Sequence, residues 1–140
     1  MELGAPYVRA RTASDYWLYG AIFSSTCPVA LIDDQVAGAV IAFRGQDNPD
    51  DVYIQDVITH PNHRRSGVAG ALLTAVRNRA MTWGCRRLYL TSEPENTGAQ
   101  ATWTALGFAN APGDHVVDGV SVISDYKGPG KHRALYELKL

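Results

Sequence analysis

The chain has 140 residues, 46% of them apolar and 19% charged, which is enough to bury a core without metals or disulfides and excludes a disordered tail. Thirteen basic against fourteen acidic residues leave a net charge of −1, which argues against general nucleic-acid binding, because a phosphodiester backbone is held by a basic excess. No apolar run approaches the roughly 20 residues of a membrane span, and MELGAPYVRA lacks the basic and apolar regions of a signal peptide, so a cytoplasmic location without a membrane partner is expected.

In chain order, YVRA (7–10) reads as a short strand. Thr12 or Ser14 can cap a following helix, with Asp15 in its first turn and Trp17, Leu18 and Ile22 as expected buried positions. CPVALIDD and VAGAVIAFRG are β-rich runs around Asp33-Asp34-Gln35 and predict a hairpin; QDNPDD is a polar loop. DVYIQDVITH, nearly continuous in apolar and β-branched residues, predicts a central strand covered on both faces. Ala69, Leu72, Leu73, Val76, Ala80 and Trp83 recur at helical spacing, and Gly84 supplies the stop. RRLYLTSE is the next strand, and a short helix from Ala99 to Leu106 ends at Gly107. The last third reads as two strand-like halves around Gly-Pro-Gly, with Lys127, Lys131 and Arg133 at a solvated tip. No repeat or linker interrupts the chain, so 1–140 is expected to be one domain. Its class is α/β (α+β) with a mixed sheet. Cys27 and Cys85 read as buried free thiols.

The segment HPNHRRSGVAGALL (60–73) places two arginines and a serine ahead of small residues at a helix start. The first turn of a helix leaves N–H groups unpaired and carries about half a positive charge. Gly67, Ala69 and Gly70 keep that turn bare, and Arg64 and Arg65 add charged hydrogen-bond forks, which makes a seat for a diphosphate. The dinucleotide pattern GxGxxG and the nucleotide pattern GxxxxGK[ST] both fail here. The competing reading is a helix start packed closely on the sheet with its arginines merely solvated.

Arg64-x-x-Gly67-x-Ala69, with ITHP before it and Asn96 followed by Leu106-Gly107-Phe108 later, resembles the [QR]xxGx[GA] turn and the asparagine segment of the GNAT superfamily of N-acetyltransferases. The resemblance implies that family's fold, a mixed central sheet of six to seven strands flanked by helices, with splayed central strands. It implies an acyltransferase using acetyl-CoA as cosubstrate, held by Val57, Ile58, Thr59, Arg64, Arg65, Ser66, Gly67, Val68, Ala69, Gly70, Asn96 and Trp103. It also implies direct attack by a primary amine of a small molecule or peptide, and often a homodimer.

That attack needs a proton acceptor, an oxyanion donor and a route to protonate the thiolate. By position, the resemblance assigns the oxyanion donor to the Val57 backbone N–H. Asp56 is the carboxylate inside the central strand and the tentative base. Strict alternation puts it with Val52, Ile54 and Ile58, away from Tyr53, Gln55 and Val57, unless a bulge reverses the strand. Its alternative role is a buried acid bonded to backbone amides. A water chain led by Tyr53, His115, Asp118 or Asp125 is the other route. Trp103 occupies the position where the family often has an acidic tyrosine, which leaves Tyr126, Tyr136 or water as the acid. The histidines lack metal-ligand spacing, so no metal is expected. The alternative function is a non-catalytic acyl-CoA-binding sensor or scaffold. Loop acids Asp15, Asp114, Asp118 and Asp125 are candidates to attract a cationic amine.

Overall fold

The structure is a computed structural model and describes residues 10–140, so the strand expected at YVRA lies outside the described residues except for Ala10. Helix α1 (Ala13–Ile22) starts at Thr12, whose side chain accepts from the Asp15 N–H while the Asp15 carboxylate accepts from the Thr12 N–H. This reciprocal box satisfies two orphan donors of the first turn. Trp17 and Ile22, expected inside, are 66% and 63% exposed. Instead Tyr19, with Phe23 just beyond the helix, docks onto Phe43, at ring separations of 5.5 and 4.9 Å.

Strands β1 (Val29–Ile32) and β2 (Gln35–Arg44) form the expected hairpin, turning through Asp33 and Asp34 at φ 51° and 63°. Two consecutive left-handed residues give the turn whose twist matches a two-stranded ribbon. β3 (Asp51–Thr59) follows, then helix α2 (Val68–Thr82) and β4 (Arg87–Ser92). Helix α3 (Thr97–Ala105) leads to the short strands β5 (Ala109–Asn110), β6 (His115–Val117) and β7 (Val120–Val122), and to β8 (Ala134–Lys139). The main sheet is six-stranded in the order β1-β2-β3-β4-β8-β5, with β3 and β4 parallel and the other pairs antiparallel.

The expected pairing of two halves across Gly-Pro-Gly is not what forms. β7 pairs with β6 in a separate two-stranded sheet, and the β pairing between the halves is reduced to the isolated bridge Ile123–Arg133, with turn hydrogen bonds such as Lys127 N–H to the Lys131 carbonyl beyond it. The reason is competition: β8 is already flanked by β4 and β5, so β7 finds its partner in the preceding strand, β6. The core is built on one face of the sheet, where Leu72, Leu73, Val76 and Ala80 of α2 cover Val40, Val52, Ile54, Leu88 and Leu90. No helix among the described residues is long and apolar enough to cross a membrane.

Two features of β3 position the site. Its pairing with β4 stops at Ile54–Leu90, although both strands continue. Beyond that point β3 follows β2, and β4 follows β8 as far as Ser92–Ala134, so the two central strands part like a fork. At the same place Gln55 is extra: Ile41 pairs with Asp56 and Ala42 with Ile54. A bulge bends its strand and raises the local twist, which takes β3 away from β4. Because Ile41 and Ala42 point to opposite faces, Ile54 and Asp56 do too. Strict alternation is therefore broken. Ile54 and Val57 face α2, whereas Tyr53, Asp56 and Ile58 face α1.

Candidate active site

The fork opens into a cleft of about 820 Å³ between β3, the start of α2 and one side of α3. A volume of this size is ordinary for a small-molecule site. At the strand wall, the His60 N–H donates to the Ala37 carbonyl at 2.7 Å. Backbone groups alternate along a strand, so Ile58 and Asp56 also turn their N–H groups toward β2. Val57 and Thr59 then turn theirs toward the fork, where β4 has departed. These main-chain groups are available to an extended ligand lying in the gap.

At the second wall, α2 begins after Gly67, which has φ 81° and offers no side-chain cap. The first intrahelical acceptance recorded there is Ala71 N–H to Gly67 carbonyl, at 3.0 Å. That leaves the amides of Val68, Ala69 and Gly70 pointing out of the helix start. Arg65, also left-handed at φ 65°, and Arg64 are both exposed and both line the cleft. The close-packing reading of the glycines does not hold. A Cβ on Gly67 would meet no atom within 4 Å, and one on Gly70 only Leu106 Cδ2 at 3.9 Å. Space does not require either position to be small; Gly67 is favoured by its left-handed φ, and nothing within the fold requires Gly70.

Of the residues expected to touch a cofactor, every one but Ser66 lines the cleft. The Ser66 hydroxyl instead donates to the His63 carbonyl and closes the loop. Asn96 caps α3 without a side-chain hydrogen bond and borders the cleft. Trp103 also lines it, but its Nε1–H donates to Ser92 Oγ at 3.0 Å, and its ring meets Phe108 edge-on at 6.1 Å. The side of α3 bearing Gly98, Ala99, Thr102, Ala105 and Leu106 completes the wall. Sequence reasoning missed these residues; the signal was small residues at 98, 99, 102 and 105, spaced three and four apart on a helix.

On the opposite face of the fork the polar groups are side chains reaching in from distant segments. Asp56, 6% exposed, is held by Arg11 Nη2 at 3.0 and 3.3 Å from its two oxygens. Its partner is thus a distant guanidinium, not the neighbouring backbone amides expected for a buried acid. The Tyr53 ring lies tilted against that of Tyr89, with centres 5.2 Å apart, and its hydroxyl accepts from Lys127 Nζ at 2.7 Å. Lys127 is exposed, as expected of a tip residue, but its ammonium also reaches back to the sheet. The Arg86 and Arg87 guanidiniums beside buried Asp51 hold its carboxyl below the usual range, and Arg87 also reaches Glu137 at 2.7 Å. This network ties β3, β4 and β8 together at the closed end of the fork.

The other acid and base candidates scatter. Tyr136 is buried opposite Leu90 on the α2 face, and burial pushes its phenol up. Burial, and to a lesser degree the neighbouring Tyr53, push Tyr126 up. His115 bonds Asp114 at 2.5 Å, and Ser124 donates to the same carboxylate at 2.8 Å. The acids expected to draw an amine are largely engaged: Asp15 caps α1, Asp114 holds His115 and Ser124, and Asp125 accepts from the Gly130 N–H.

Comparison with known proteins agrees with this geometry. Residues 2–108 match the family model described as "Acetyltransferase (GNAT) family". An L-2,4-diaminobutyric acid acetyltransferase of Nocardia farcinica is 30% identical over 91 residues, covering 65% of this chain and 47% of that protein. An aminoglycoside N(6')-acetyltransferase type 1 of Salmonella typhimurium is 36% identical over 64 residues, covering 46% and 44%. The chain thus matches about half the length of these curated relatives. In fold, it superposes on the diaminobutyrate acetyltransferase EctA of Paenibacillus lautus with a TM-score of 0.74 at 23% identity, over 99% of this chain and 85% of that one. It also superposes on Ard1 of Thermoplasma volcanium with a TM-score of 0.75 at 14% identity, over 100% and 86%. With a mixed sheet, forked central strands and a family model matched over most of its length, the chain belongs to the GNAT family of acetyltransferases.

Proposed function

We propose that this protein is an N-acetyltransferase that moves an acetyl group from acetyl-CoA to a primary amine of a small molecule or peptide. The observation that carries the reading is the joining of a strand fork to an uncapped helix start in one cleft. The curated relatives, named for acetylating a diamino acid and an aminoglycoside, support amine acceptors. The residues fit the cosubstrate: the amides from Arg65 through Gly70, with Arg64 and Arg65, would receive the pyrophosphate, and the open space at Gly67 and Gly70 lets it approach the main chain. Val57 and Thr59 would pair with the pantetheine arm in the fork, as Asn96 would from the far side.

Acetyl-CoA supplies the acetyl group as an activated thioester. The chain's own tasks are to polarise the carbonyl, to accept a proton from the amine and to accommodate the departing thiolate. The Val57 N–H points into the fork and is preorganised to stabilise an oxyanion without moving. Asp56 lies on the acceptor face and keeps lone pairs beyond those Arg11 engages, so the amine's proton would pass to it directly or through water. The Trp103 indole N–H is a hydrogen-bond donor and not a titrating acid, and it is already donated to Ser92. A thiol with an ordinary pKa near 8.5 leaves tolerably as thiolate, so turnover does not require an acid there.

A second reading, an acyl-CoA-binding sensor without catalysis, is favoured by the commitment of Trp103 to Ser92 and of Asp56 to Arg11. One experiment separates the two. Acetyl-CoA at about a hundred times its Kd should stabilise the fold by roughly 2.7 kcal/mol, and a panel of amines should then release free CoA thiol. Stabilisation without thiol release on any amine favours the sensor. No stabilisation at saturating acetyl-CoA removes both.

A further inference from the structure

The charges on the acceptor face say what kind of amine the fork would take. Strands β3, β4 and β8 carry three carboxylates, Asp51, Asp56 and Glu137, and each is ion-paired to arginine. Asp56 pairs with Arg11 at 3.0 Å, Asp51 with Arg86 and Arg87 at 2.8 and 3.2 Å, and Glu137 with Arg87 at 2.7 Å. None of them is left over for a second ammonium on the substrate. Lys127 is different. It crosses from the loop before β8 to the acceptor face, where its ammonium donates to the Tyr53 hydroxyl and not to a carboxylate, with the Tyr53 ring centre 5.4 Å away. An ammonium carries three donors, and Tyr53 takes one. Tyr53 pairs with Tyr89 one position before the fork opens at Ile54–Leu90, so this cation stands at the closed end of the gap, on the face opposite the cleft.

From these positions we infer that the acceptor is an amine that also bears a carboxylate, an amino-acid-like substrate, and that Lys127 is the residue that anchors that carboxylate. The inference rests on the transferase reading and narrows it. The amine would point along β3 toward Val57, and the carboxylate would lie back toward Tyr53, where two Lys127 donors remain. A polycationic amine would meet Lys127, and with Asp56 given to the reacting amine it would find the remaining strand carboxylates, Asp51 and Glu137, already paired with arginines. Tyr53 acts here as a positioning residue, since its hydroxyl and ring hold the Lys127 ammonium over the sheet.

The test compares matched pairs of ligands on protein saturated with CoA: ornithine against putrescine, and free lysine against cadaverine, each pair differing by the carboxylate alone. Calorimetry should show the amino acid of at least one pair binding about 10-fold more tightly than its diamine. Lys127→Met should bring that ratio close to one while the melting temperature and CoA affinity stay unchanged, and Lys127→Arg should retain most of it. In steady state the Lys127→Met loss should fall on KM and not on kcat. Equal or tighter binding of the diamines, no binding of either member in both pairs, or a ratio that survives Lys127→Met overturns the inference. The heat of CoA binding, measured first, reports on the transferase reading separately.

Discussion

The two faces of the fork are built in different ways. On the cleft side, main-chain amides at the start of α2 and along β3 face the gap, and Gly67, Ala69 and Gly70 leave the helix start bare. On the acceptor side the main chain contributes little, and the surface is a set of long side chains reaching from distant segments: Arg11 from before α1, Lys127 from the loop before β8. The first kind of site tolerates sequence change as long as space is kept. The second depends on particular pairs meeting across 45 and 74 residues.

That contrast can be broken from either side. The largest effect is expected at Arg11. Replacing it with Met leaves Asp56 buried without its cation, which should cost about 3 kcal/mol in urea unfolding, since removing one partner of a buried pair strands the other. The double variant with Asp56→Asn should recover much of the loss. A single variant as stable as wild type would mean that the acceptor face is not organised by this pair.

Next comes Gly70→Glu. Its Cβ meets only Leu106 Cδ2 at 3.9 Å, so the fold should melt where wild type does. A carboxylate at the α2 start should nevertheless weaken CoA about 100-fold, close to 2.7 kcal/mol, by calorimetry. Loss of folding instead would show that the small residue serves packing.

The smallest effect concerns the base of the β6–β7 hairpin. His115, then Ser124, holds the exposed Asp114 carboxyl down to about 2. A depressed folded value stabilises the native state above the ordinary carboxylate range, near 3.8, and that stability is lost as pH falls through 2. Asp114→Asn should therefore remove a small part of the acid-side slope between pH 4 and 2, and leave stability near neutrality only slightly lowered. A slope identical to that of wild type would show that the contact contributes nothing in solution.

Much of the fold was legible because its signals are local. The β1–β2 hairpin, the α2 stripe of Leu72, Leu73, Val76 and Ala80, and the strand DVYIQDVIT each follow from the spacing of apolar residues along a few turns of chain. Trp17 and Ile22 misled for the same reason: helical spacing suggests a buried stripe, but α1 meets the sheet through Tyr19, and its other side has no element over it among the described residues. The pairing of β7 with β6 was not legible either, since any exposed strand edge offers the same backbone groups and only the finished sheet shows which edges are taken.

By itself, the sequence determined the backbone-built half of the site. A glycine with positive φ, small residues after it and arginines before it are properties of one short segment, and so is the uncapped helix start they make. Only the tertiary structure decided the other half. The bulge at Gln55 turned Asp56 to the α1 face, and long-range folding brought Arg11 to Asp56 and Lys127 to Tyr53. The physical reason is range: helix starts are set by neighbouring dihedrals, whereas ion pairs depend on where remote segments come to rest.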